Sequence, residues 1–167
     1  MKKLKYLLLL FASSTLIGCG AYSFTGADIG TAETFQVNYF KNTSNLIEPG
    51  LDLDFTRALQ DLIQNQTSLS LVNSGADLIY EGEITNYRIS PTTATANSTA
   101  AQNRLTIGVK VQFYNKKDSE KDFEKSFSFF YDYTGSELLS GTTKTTAHDE
   151  IFERLTQDIF NASLANW

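Results

Sequence analysis

"RLTIGVKVQFY", residues 104–114, alternates without a break. Leu105, Ile107, Val109, Val111 and Phe113 fall on one side; Arg104, Thr106, Lys110, Gln112 and Tyr114 fall on the other. Successive side chains of an extended chain point to opposite faces, so this stretch is a strand with one apolar and one polar face. The apolar face needs a cover, and the rest of the chain is read for what pairs with this strand and what covers it. Downstream, "FEKSFSFFYDY" (123–133) places Phe127, Phe129, Tyr131 and Tyr133 on one face across the charged turn "NKKDSEKD", so the two form a hairpin. Upstream, "LIYEGEITNYRI" (78–89) alternates again, and its Gly82 is expected to mark a bulge or a close backbone approach. Between them "SPTTATANSTAAQN" (90–103) is small, polar and aperiodic, and reads as a loop. "TFQVNYF" (34–40) alternates as a further strand, "KNTSNLIEPG" follows as a loop, and "SLSLVNSGAD" offers a short strand and a turn.

The cover comes from two amphipathic stretches. In "LDLDFTRALQDLIQNQ" (51–66), Leu51, Phe55, Leu59, Leu62 and Ile63 make a helical stripe, with Asp52 and Asp54 at the positive end of the helix. A second helix is predicted over about Thr146–Ala165, with Ile151, Phe152, Leu155, Ile159, Phe160 and Leu164 as its stripe. Thr146 and Asp149 resemble a capping box at its start. The order strand, helix, several strands, helix predicts an α+β fold: an antiparallel or mixed sheet of about four strands, with both helices packed on one face.

The N-terminus is an address. Lys2, Lys3 and Lys5 precede the apolar, small-residue run "YLLLLFASSTLIG", which is too short to span a membrane comfortably. It ends in Leu16-Ile17-Gly18-Cys19, similar to a bacterial lipobox. The resemblance implies that residues 1–18 are a lipoprotein signal peptide. It also implies that the Cys19 thiol receives a diacylglycerol and that, after cleavage, the new amino group takes an acyl chain such as palmitate. Several acyl chains anchor a protein to a membrane stably where one does not. Gly20 replaces the aspartate of inner-membrane retention signals, and no acidic run follows the cysteine. The expected location is therefore the outer membrane, lipid-anchored, facing the periplasm or lying within a barrel lumen. Residues 19–33, Gly- and Ala-rich, read as a lipidated tether whose Tyr22 and Phe24 are free to dock, and 34–167 as one α+β domain.

Loss of the leader removes three lysines and no acids, so the net charge moves from −5 to −8. That balance argues against a nucleic-acid partner. The one cysteine precludes an intrachain disulfide, and His148 is the one histidine, so the chain lacks the His and Cys donors of a zinc site. No cofactor motif and no nucleophile elbow appear. Glu81 and Glu83, two apart on a strand, have the spacing of a carboxylate pair, although two solvated residues on a polar sheet face read more simply. Arg104 and Lys110 share the polar strand face, with Arg88, Lys116 and Lys117 as near candidates. Such cations beside aromatics suit a phosphorylated glycolipid, although an ordinary charged sheet face is the simpler reading.

"CGAYSFTGADI", "YEGEITNYRISP", "NRLTIGVKVQFYN", "FSFFYDY" and "DIFNASLANW", taken in order, resemble the LptE family, in the branch whose members begin CG-x-YSF. The resemblance runs from Cys19 to Trp167. It implies a two-helix, antiparallel-sheet fold and a non-enzymatic role as the small subunit of the lipopolysaccharide translocon. In that role it plugs and helps assemble the large β-barrel subunit LptD and contacts lipopolysaccharide. The family's lipid-contacting residues do not map onto positions of this chain. Two other classes stay open: an auxiliary lipoprotein of another envelope transporter that binds a protein partner without touching lipopolysaccharide, and an envelope hydrolase using Glu81 and Glu83.

Overall fold

The computed structural model describes residues 26–92, 102–134 and 139–165. Cys19, Tyr22, Phe24 and most of the 90–103 loop lie outside the described residues. The strands are β1 (Thr34–Val37), β2 (Lys41–Asn42), β3 (Ser70–Leu71), β4 (Leu78–Thr92), β5 (Gln102–Asn115) and β6 (Phe123–Thr134). The helices are α1 (Leu51–Gln66) and α2 (Gly141–Leu164), and a single 3₁₀ turn, Ser119–Lys121, sits in the β5–β6 connection.

The sheet runs β3-β1-β4-β5-β6, with β2 also paired to β4. It has six strands where about four were expected: β3 lies within the short strand expected in "SLSLVNSGAD", while β2 is a two-residue pairing too short to carry a period. β4, β5 and β6 form the expected antiparallel meander. The pairs β1–β3, β1–β4 and β2–β4 are parallel, which makes the sheet mixed. The reason is α1: a strand that returns to its sheet through a helix arrives in parallel. "KNTSNLIEPG" is accordingly not all loop, since Lys41 and Asn42 pair with Glu83 and Ile84.

Both helices cover one face. α1 lies over the β1–β3 side and α2 over β5 and β6. They meet where Phe55 and Phe152 touch edge to face at 5.4 Å. All five apolar residues of the opening stretch are fully buried, together with Leu51, Phe55, Leu59 and Ile63 of α1 and Ile151, Leu155 and Ile159 of α2. Tyr80 is the largest fully buried side chain; its hydroxyl meets Ser163 Oγ at 2.9 Å, so the one polar atom it takes inside is satisfied.

α2 begins five residues earlier than its apolar pattern. Ser140 is its N-cap, so Thr146 and Asp149 are interior residues and not a capping box. The extra turn, Gly-Thr-Thr-Lys-Thr, has no apolar stripe; Lys144 within it reaches Glu48 at 2.7 Å.

The bulge expected at Gly82 lies instead between Ile84 and Asn86. The extra residue, Thr85, reverses the face on which each later side chain emerges. Ile84 and Tyr87 are therefore both buried under the helices, which strict alternation would forbid. Gly82 is the close approach: a Cβ there would stand 2.1 Å from the Lys110 carbonyl oxygen and 2.5 Å from the Phe40 ring.

Part of the segment read as a tether is packed down. Ala32 is buried, Asp28 N–H donates to Leu164 C=O at 2.6 Å, and Ala27 bridges Ala165. No helix among the described residues is long and apolar enough to cross a membrane.

Candidate functional site: the outer face of the sheet

The face away from the helices is built from alternate residues of β4, β5 and β6. The registers place Glu83 opposite Lys110, Glu81 opposite Gln112, Arg88 opposite Thr106, Asp132 opposite Arg104 and Glu124 opposite Gln112. Arg104 and Lys110 do share this face, and six residues of strand separate them by about 20 Å.

Both cations already have partners. The Arg104 guanidinium donates through Nε and a terminal nitrogen to the two Asp132 oxygens, each at 2.7 Å, and its carbon lies 3.6 Å from the centroid of the Phe130 ring. A forked pair stacked on an aromatic ring fits arginine and would not fit lysine. Lys110 Nζ meets Glu124 Oε1 at 2.7 Å, while Gln112 donates to the other Glu124 oxygen at 2.6 Å. The ion pairs raise the pKa of Arg104 and Lys110 and lower those of Asp132 and Glu124, chiefly through these hydrogen bonds.

The remaining predicted cations divide. Lys117 pairs with Asp77 at 3.0 Å. Asp77 also accepts the Glu33 and Thr34 N–H groups and the Thr34 hydroxyl, and its pKa falls to about 2, with the Glu33 amide the largest cause and Lys117 next. This is a structural latch between the start of β1 and the turn before β4. Arg88 and Lys116 are exposed and form no ion pair among the described residues.

The carboxylates Glu81 and Glu83 both face outward at one end of this face. Glu81 Oε1 accepts from Asn38 Nδ2 at 2.6 Å. With Asn38, Tyr39, Lys41, Lys110 and Gln112 they line an open cleft of about 420 Å³, floored by Gly82. Neither the cleft nor its Tyr39 wall was legible in the alternation, because β2 brings Lys41 there through a pairing too short to predict. His148 lies on the opposite side of the molecule, half-buried. Its Nε2 is 3.1 Å from the Tyr87 hydroxyl and its ring stacks on Phe152; burial lowers its pKa. It is a packing residue of the helix layer.

The sheet and helix arrangement matches solved structures at low identity. The hypothetical protein CT253 from Chlamydia trachomatis superposes with TM-score 0.51 at 9% identity, covering 81% of this chain and 99% of that one. A putative neuraminyllactose-binding hemagglutinin homolog from Helicobacter pylori gives 0.51 at 10%, covering 84% and 91%. Those likenesses show the fold alone. No curated protein matches significantly. A family model described as lipopolysaccharide-assembly does match, over residues 32–163, which takes in every strand and both helices but for Leu164. The chain therefore belongs to the LptE lipopolysaccharide-assembly family.

Proposed function

We propose that this protein is an outer-membrane lipoprotein, anchored through acyl chains on Cys19, which plugs and helps assemble an LptD-type β-barrel and assists lipopolysaccharide into the outer membrane. The observation that carries the reading is the family match across the folded domain. It supports an accessory role rather than a catalytic one.

The outer sheet face is the surface we assign to the barrel lumen. It is polar, about 20 Å long between Arg104 and Lys110, and opposite the helices, so it can meet a water-filled interior without exposing the core. Lipopolysaccharide phosphates would meet Arg88 and Lys116 directly. Arg104, Lys110 and Lys117 would meet them only by exchanging Asp132, Glu124 and Asp77 for the phosphate. Such exchange is feasible because exposed pairs are weakly held and screened by salt.

The test is native purification of the full-length protein from membranes in detergent, with the N-terminal peptide mass measured. The reading expects a co-eluting LptD-type barrel and a lipid mass on Cys19, with Cys19→Ala giving an uncleaved or mis-sorted precursor. A co-eluting ATP-driven transporter in place of a barrel would favour the auxiliary-lipoprotein reading, and an unmodified Cys19 would remove the anchor.

A further inference from the structure

The geometry points to the cleft beside Gly82 as a saccharide-binding site. It recognises the hydroxyls of an uncharged sugar unit and not a phosphate. Its volume, about 420 Å³, falls within the range of small-ligand sites. Its wall is Tyr39, a residue 55% exposed, whose pKa the nearby Asp52 carboxylate raises. An exposed tyrosine ring is a flat platform with only two side-chain torsions to fix on binding. The apolar C–H face of a pyranose fits such a surface.

The polar groups suit the same ligand. Glu83 carries no hydrogen bond or ion pair among the described residues, and Glu81 uses one oxygen for Asn38. Two carboxylates on one strand face accept from neighbouring hydroxyls, as ionised acceptors do most strongly. Lys41 has no ion pair among the described residues, and Lys110 has ammonium protons beyond the one Glu124 takes, so donors for hydroxyl and ring oxygens stand opposite. A phosphate would face Glu81 and Glu83 at close range and be repelled. A metal ion finds no group of three carboxylate, histidine or cysteine ligands among the described residues.

The inference deepens the lipopolysaccharide reading and rests on it only for the source of the sugar. It places sugar in the Gly82 cleft, where Lys110 donates to hydroxyls rather than to phosphate, and leaves phosphate to cations outside the cleft, Arg88 and Arg104 toward the other end of the strands and Lys116 just past the end of β5. The test uses the full-length lipoprotein in detergent, titrated calorimetrically with three probes: rough lipopolysaccharide, lipid A, and a delipidated, dephosphorylated core oligosaccharide. The oligosaccharide should bind. Glu83→Gln and Tyr39→Ala should each weaken it by about tenfold or more, while Tyr39→Phe, which keeps the ring, stays within about threefold. Circular dichroism checks the fold of each variant. If lipopolysaccharide and lipid A bind but the oligosaccharide does not, the cleft inference is overturned and the lipopolysaccharide reading stands. If the oligosaccharide binds equally to folded Glu83→Gln and Tyr39→Ala, the site is misplaced and the inference again fails. Oligosaccharide binding lost in those two variants, with no binding of either lipid probe, supports the cleft and removes the lipopolysaccharide reading.

Discussion

At the scale of single residues, Gly82 carries the tightest constraint among the described glycines. Its missing Cβ lets the Lys110 carbonyl and the Phe40 ring close over it. Gly82→Ala forces backbone apart in a packed core, and a loss of about 3 kcal/mol is expected, read from urea unfolding; an alanine variant of unchanged stability would contradict the packing. A glycine inside an alternating strand announced this from sequence. The bulge at Thr85 was not announced, because an extra residue in a strand leaves no compositional mark. The partners of Arg104 and Lys110 were also hidden. Asp132 and Glu124 were visible in "FEKSFSFFYDY", but which residue they face depends on a register set by the 3₁₀ turn. The pairing leads to a second expectation. Asp132→Asn frees the Arg104 guanidinium, so lipopolysaccharide affinity of the full-length protein should rise severalfold, most clearly at low salt. Weaker binding in that variant would remove Arg104 from the phosphate-facing set.

At the scale of elements, the strongest periods were the most legible. α1 spans residues 51–66 as its stripe predicts, and β5 extends its predicted strand by two residues at one end and one at the other. What the period could not reach was decided by other forces. β2 is held by its pairing with β4, and the first turn and a half of α2 is an exposed Thr-rich extension of a helix already nucleated by its stripe. β1 offers the clearest case of tertiary anchoring. Asp77, from the turn before β4, holds the Glu33 and Thr34 amides at the start of β1. Its folded pKa, about 2, lies below the ordinary carboxylate value of 3.8. The carboxylate's contribution is therefore complete above 3.8 and fades as pH falls toward 2. In Asp77→Ala the amides of Glu33 and Thr34 should exchange with solvent much faster at neutral pH, and the variant should lose the part of the wild-type acid sensitivity that falls in this window. Unchanged protection of both amides would show that the latch is not what holds β1.

At the scale of the whole molecule, the described domain has two layers, and the proposed function gives each side its own task. The helix layer buries the core of both amphipathic stripes, and His148 is spent there on Tyr87 and Phe152. The open sheet face carries the charges, the cleft and the exposed Tyr39. The central claim is that this face, and not the helix face, looks into a barrel. Photocrosslinking in living cells tests it most directly, with a photoreactive residue at Thr106 or Gln112 on the sheet face and at Arg57 or Glu153 on the exposed helix surface. The account predicts that an LptD-type barrel is captured from Thr106 and Gln112 and not from Arg57 and Glu153; capture from the helix positions alone would contradict it.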